Sequence, residues 1–293
     1  MSTAAHVAAA AVATVPRKTP ASPLEKAVIS GATFKGLKSV GTEKDAAALL
    51  KHISTLTFPN PLKDGKREEI AWATLTASTG SGQCINRSRL IATALGLGAK
   101  GLKEFPADLS KADLIKLATK PEAQGVPIKI SGRMRITSAY SDSARKLELP
   151  QNFLADWTYH QATLIKVGGE PRVVDLAVSD KPLTIDAWTR CFFPEGVTPK
   201  PVSPDAFHKS VDLGQSNPPP QLTVLPAMFE KDDAKKTIGT PPRLTGQSDY
   251  SRALWGMGES NRELTNALTK KGLDARRYVD EFGDFRAKVI TAA

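Results

Sequence analysis

The sequence predicts an α+β fold in which helices flank an antiparallel hairpin, and three observations carry that expectation. From Ala46 to Leu56, and again near the C-terminus, apolar residues recur at spacings of three and four, the period of a helix with one buried face. Between residues 157 and 178 the pattern becomes β-branched and extended, with Gly168-Gly169 at its middle where a hairpin would turn. A loop of small residues, Ser78-Thr79-Gly80-Ser81-Gly82-Gln83-Cys84, leads directly into a further helical stretch.

Composition bounds the class. The chain has 293 residues, 41% of them hydrophobic and 24% charged, which is ordinary globular usage and excludes a fibrous, disulfide-scaffold or wholly disordered protein. Forty basic against thirty acidic side chains leave a net charge of +10. That excess is scattered as single Lys and Arg residues, and aromatics at 6% are thin for a stacking platform, so no nucleic-acid partner is expected. Ala8 to Val15 is apolar but far too short for a membrane span, and Met1 to Val15 lacks the basic residues that open a signal peptide. The expectation is a cytoplasmic protein, or one exported by a leaderless route into a target cell. Cys84 and Cys191 show no CxxC or His/Cys metal spacing, so neither a metal nor another cofactor is expected.

Along the chain, residues 1–23 are rich in Ala, Ser, Thr and Pro and form a flexible leader. Residues 24–70 make an N-terminal helical segment, whose main helix starts at Thr42 as N-cap and is ended by Pro59-Asn60-Pro61. A core is expected over 71–195, with a helix after Cys84 facing inward through Ile85, Ser88, Ile91, Ala92 and Leu95, and another over Lys111 to Thr119 capped by Ser110. Its strands are Trp157 to Val167 and Arg172 to Val178. Ten of the 21 prolines then fall between Pro194 and Pro242, so 196–246 reads as a connection that cannot supply a central strand. Residues 247–293 return to helical period, divided at Gly272.

Three residues stand out chemically. Cys84 falls in the first turn of its helix, where unbonded backbone N–H groups and the positive end of the helix dipole favour a thiolate and can hold an oxyanion. His160 shares a half-buried strand face with Thr158, Ala162 and Leu164, where an imidazole needs a partner or must stay neutral. Asp175 lies within a β-branched run and also needs a polar partner. Hairpin arithmetic supplies one. A two-residue Gly168-Gly169 loop puts His160 opposite Ala177 with Asp175 on the diagonal; a register centred one residue earlier puts His160 and Asp175 directly opposite. Both share one face. The three side chains compose an orienter–base–nucleophile chain that attacks acyl carbons.

The order Cys, His, Asp, with the cysteine opening a helix and the other two on paired strands, resembles the papain and transglutaminase-like thiol hydrolases. More narrowly, Cys84 with Arg87, Trp157, Tyr159-His160, Val174-Asp175, Pro182-Leu183-Thr184 and Ala187-Trp188-Thr189-Arg190-Cys191 are similar to bacterial protein-glutaminases. That resemblance spans roughly Thr76 to Cys191. It departs in having Leu176 where a proline usually follows the aspartate, a long interval from Cys84 to His160, and few cysteines for disulfides. It implies a papain/transglutaminase-like core with a nucleophile helix packed on an antiparallel sheet. It further implies Cys84 as nucleophile, His160 as base and Asp175 as orienter, and a protein or peptide substrate with an accessible glutamine. Gln83 is the candidate oxyanion donor, with Trp157 and Tyr159 as candidate walls of the glutamine slot. Trp188 and Cys191 are expected in packing, and Arg87 on the helix surface or in an ion pair. A translocated effector of this kind would also meet a delivery or immunity partner. Two other readings compete: a transglutaminase-like acyl transferase or cysteine peptidase with the same triad, and a non-enzymatic binding module that uses its basic surface.

Overall fold

A five-stranded sheet carries the site, in a computed structural model that describes residues 20–59, 69–71, 83–97, 125–134, 145–149, 158–212, 218–226 and 262–273. The predicted helix over 111–119, the leader residues 1–19, the loop before Gln83, and Trp157 lie outside the described residues. The elements are α1 (Pro23–Ser30), α2 (Ala32–Lys35), α3 (Glu43–Thr55), β1 (Thr57–Pro59), β2 (Glu69–Ala71), α4 (Gln83–Leu97), β3 (Gly125–Ser131), β4 (Tyr159–Val167), β5 (Glu170–Val174), α5 (Ile185–Phe192), β6 (Lys200–Pro201), α6 (Pro204–Asp212) and β7 (Gln221–Val224), followed by α7 over 262–270. The main sheet has the order β5-β4-β3-β7-β6; its pairs are antiparallel except β6 with β7, and β1 and β2 pair separately. The fold is mixed α/β with an antiparallel-dominated sheet.

Helices cover both faces. On one, α1, α2, α5 and α7 contribute Leu24, Val28, Phe34, Trp188, Phe192, Leu264 and Leu268 to a core with Ile128, Ile130 and Leu164. On the other, Leu50 and Ile53 of α3 meet Leu90, Ile91, Ala94 and Leu95 of α4 over Ile165 and Val174. Alternation along β4 and β5 produces this division, since successive side chains point to opposite faces.

Local chemistry accounts for the elements that position the site. Thr42 caps α3 by accepting from Asp45 N–H, and Asp45 returns a bond to the Thr42 backbone, a complete capping box. Helix α3 stops at Thr55 and the chain passes into β1, ahead of the expected proline stop. Strands β4 and β5 turn through Gly168 (φ 56°) and Gly169 (φ 91°), left-handed conformations that suit a two-residue hairpin and disfavour side chains. The ladder Thr163↔Val174 to Val167↔Glu170 selects the tighter of the two expected registers, which places Asp175 on the diagonal from His160.

Two expectations are corrected. Strand β5 ends at Val174 and does not run to Val178: the Asp175 carboxylate accepts from Ala177 N–H at 3.1 Å, and its carbonyl accepts from Val178 and Ser179, so an aspartate turn ends the strand. The proline-rich stretch does supply an interior strand, because the proline-free tetrapeptide Gln221–Val224 lies between β3 and β6. Pro201 sits where no ladder donor is needed, on the edge strand β6. In the C-terminal segment, Gly272 (φ 65°) follows α7 and Leu273 N–H returns to the Leu268 carbonyl, a glycine C-cap at the expected break.

Candidate active site

Cys84 is the second residue of α4 and is half-buried. Its place beside β4 follows from how α4 is docked. Ser88, one turn further along, donates its hydroxyl to the Ala162 carbonyl at 2.9 Å, and Thr163 donates to the Ser88 carbonyl at 3.2 Å. Four helical residues rise about 6 Å, and two strand residues advance about 6.8 Å. Stepping back one turn from Ser88 and two residues from Ala162 therefore brings Cys84 to His160. The strand is open there, since β5 pairs with β4 only from Thr163 onward and leaves residues 159–162 uncovered on that side. Cys84 lies beside His160 and the Gln161 backbone, so that the imidazole and that N–H both act on the thiol.

His160 is fully buried, stacked at a tilt on Phe192 with ring centroids 4.7 Å apart. Its Nε2 lies 2.7 Å from Oδ2 of Asp175, which leaves Nδ1 as the ring nitrogen for Cys84. Asp175 is itself buried and holds three donors: His160, Ala177 N–H, and the indole Nε1–H of Trp188 at 2.9 Å. The structure thus brings Cys84, His160 and Asp175 together.

The electrostatics follow from these contacts. Burial opposes ionisation of Asp175, yet the charge and hydrogen bond of His160, the Trp188 N–H and the Arg87 charge outweigh it and hold the carboxyl below its ordinary range. Burial disfavours the imidazolium, but Asp175, through charge and hydrogen bond, and then Cys84 push the His160 pKa up to about 9. Burial likewise opposes the Cys84 thiolate; the His160 hydrogen bond and charge, the Arg87 charge and the Gln161 N–H prevail, and the thiol pKa is lowered. Both shifts act in the direction of a thiolate–imidazolium pair. Such a pair can attack an acyl carbon and deliver a proton to the leaving group.

Other expectations resolve differently. Arg87 is 5% exposed, not on the helix surface, because α4 is buried on most sides and its third residue after Cys84 turns toward the site. Trp188 is fully buried, as packing requires, but its N–H also orients Asp175, a role that hydrophobic periodicity cannot reveal. Cys191 is a buried thiol outside any disulfide, donating to the Ala187 carbonyl. Tyr159 opens β4, half-buried and paired with Ser131. The side chain of Gln83 and all of Trp157 lie outside the described residues. His52 is exposed on α3 and His208 sits 3.4 Å from the Lys129 ammonium. Among the described residues no group of three or more His, Cys, Asp or Glu could hold a metal ion, and no helix is long and apolar enough to cross a membrane.

Comparison with protein-family models, with curated proteins and with solved structures finds no match.

Proposed function

We propose that this protein is a thiol amidohydrolase that deamidates glutamine side chains in proteins or peptides, on a papain/transglutaminase-like core. The observation that carries the reading is the continuous chain from Trp188 and Asp175 through His160 to Cys84 at the start of α4. The choice of glutamine rests on the resemblance around Cys84, His160, Asp175 and Trp188.

In this mechanism the Cys84 thiolate attacks the γ-carboxamide carbon, and the carbonyl oxygen gains the charge. Backbone N–H groups in the first turn of α4 stabilise it. The His160 imidazolium gives its proton to the departing amine, and ammonia leaves as the thioester forms. Neutral His160 then takes a proton from water, whose oxygen attacks the thioester. Glutamate is released and the thiolate–imidazolium pair returns. Asp175 keeps Nε2–H directed at itself, which keeps Nδ1 available to the sulfur and the incoming water. An effector acting in a target cell, with a delivery or immunity partner, belongs to the same proposal.

The test is mass spectrometry of candidate protein substrates incubated with wild type and with Cys84→Ala. Amide-to-acid conversion adds about 1 Da at glutamine, and the reading requires that shift with wild type alone. Cross-linked or amine-labelled glutamine identifies an acyl transferase, and chain scission identifies a peptidase. A Cys84→Ala protein retaining every effect of wild type points to a binding module.

A further inference from the structure

We propose that Gln161 is a catalytic residue of this same site, its side-chain amide binding the carbonyl oxygen of the acyl substrate as that oxygen becomes negative. The inference rests on acyl transfer at Cys84, and not on glutamine being the acyl donor. Gln161 is 3% exposed, and its side-chain Nε2 is buried without a hydrogen-bond partner. Buried amide donors are almost always satisfied, so an unspent one calls for a reason.

Position supplies the reason. Along β4, Gln161 shares a face with Thr163, whose hydroxyl bonds Ser88 in the second turn of α4. The carboxamide two residues earlier therefore lies over the preceding turn of α4, which carries Cys84. The backbone N–H of the same residue already acts on the Cys84 thiol. Across the strand, its register partner Lys129 brings an ammonium group, a donor with no acceptor to offer the amide, and that group is engaged with His208. The occupant that would satisfy Nε2 must be an acceptor arriving from outside.

A substrate carbonyl meets that requirement. When the Cys84 sulfur bonds to the acyl carbon, the carbonyl π pair moves onto oxygen. Gln161 Nε2–H and the N–H groups of the first turn of α4 then face that charge together. When the pair returns, the C=O bond reforms and the leaving group departs. A carboxamide donates at any pH, and because it has no partner beforehand, none is broken when the oxyanion forms.

The experiment uses the full chain and 4-nitrophenyl acetate, an activated ester that reports acylation of Cys84 by release of nitrophenolate. Gln161→Met removes the donor at similar volume. Loss of one oxyanion donor lowers the acylation rate by about 10²-fold. Alkylation by iodoacetamide proceeds at saturated carbon without an oxyanion, so it stays within about twofold of wild type. The melting temperature holds or rises, since an unsatisfied buried amide has been removed. Where the methionine variant folds poorly, Gln161→Leu takes its place in all three measurements. Acylation at the wild-type rate in a folded variant overturns the inference, as does a parallel fall in alkylation, which would mean the thiolate itself was disturbed. A wild type releasing no more nitrophenolate than Cys84→Ala overturns it too. Ammonia release from casein, run alongside, separates the two proposals: Gln161-dependent acylation without ammonia leaves the oxyanion donor standing and removes glutamine as substrate.

Discussion

At the scale of single residues, the site depends on one carboxylate staying charged while buried. Desolvation alone would neutralise Asp175, and three donors prevent it. Trp188→Phe tests this directly, because phenylalanine keeps an aromatic ring against Phe192 and His160 but lacks the indole N–H. A hydrogen bond to a charged buried acceptor contributes about 1.5–3 kcal/mol, so urea unfolding should show a loss of that order. The pH–rate profile is the sharper readout: with one donor gone, the Asp175 pKa rises and the acid limb of activity moves to higher pH. An unchanged acid limb would mean that Trp188 serves packing alone. The grouping of Cys84, His160 and Asp175 was legible in the sequence because each sits in a setting that physical chemistry penalises unless partnered: a cysteine at a helix start, an imidazole on an apolar face, a carboxylate among β-branched residues. The indole N–H was not legible, since Trp188 also fits a purely apolar face. The burial of Arg87 was hidden for the opposite reason, as a charged residue reads as surface until its surroundings are known.

At the scale of elements, the geometry of the candidate site is set by two dockings, α4 onto β4 and β4 onto β5. Ser88 is the pin of the first, with its hydroxyl on Ala162 and Thr163 reaching back to it. Ser88→Ala strips the Ala162 carbonyl of its side-chain donor, while Thr163 keeps the Ser88 backbone carbonyl, and should cost about 1–2 kcal/mol by chemical denaturation. Because a shift of α4 moves the sulfur relative to His160, kcat should fall by more than KM rises. Equal changes in both would indicate that Ser88 does not set the approach. The second docking turns on the glycine pair. Gly168 has φ 56°, a conformation asparagine tolerates, and no atom lies within 4 Å of a Cβ built there. Gly168→Asn should therefore leave stability unchanged or raise it by about 0.4–1 kcal/mol. Gly169→Val, at φ 91°, should cost about 1–3 kcal/mol through backbone strain alone. This hairpin could be read in advance because a glycine pair between β-branched runs has one dominant use. Strand β3 escaped notice because Pro127 interrupts Gly125–Ser131, although the strand occupies the middle of the sheet. Its missing donor costs nothing there: β7 pairs no further along β3 than Ile128↔Val224, and Pro127 contributes only its carbonyl, to Leu225 N–H.

At the scale of the whole molecule, the site couples to the pH dependence of stability in a way that follows from proton counting. His160 has its pKa raised from an ordinary 6.5 to about 9, so its stabilisation is fully present below 6.5 and is lost as pH rises through about 9. Cys84 has its pKa lowered from an ordinary 9.0, so its stabilisation is fully present above 9.0 and is lost as pH falls through the lowered value. Asp175 is lowered from 3.8, and its contribution is lost only on the acid side of that value. At a pH between 6.5 and 9 that also lies above the lowered Cys84 value, then, the folded pair carries one proton, on the imidazole, and the unfolded pair carries one, on the sulfur. The two slopes cancel, and the wild-type site adds no pH dependence to stability there. Cys84→Ala removes one slope and leaves the other, because Asp175 still holds the imidazolium. Its stability should fall with rising pH, relative to wild type, by up to about 1.4 kcal/mol per pH unit. Urea midpoints for both proteins at three pH values inside the window measure the difference. Parallel behaviour of the two proteins would mean that the folded site keeps its proton on sulfur, and the thiolate–imidazolium description of Cys84 and His160 would have to be abandoned.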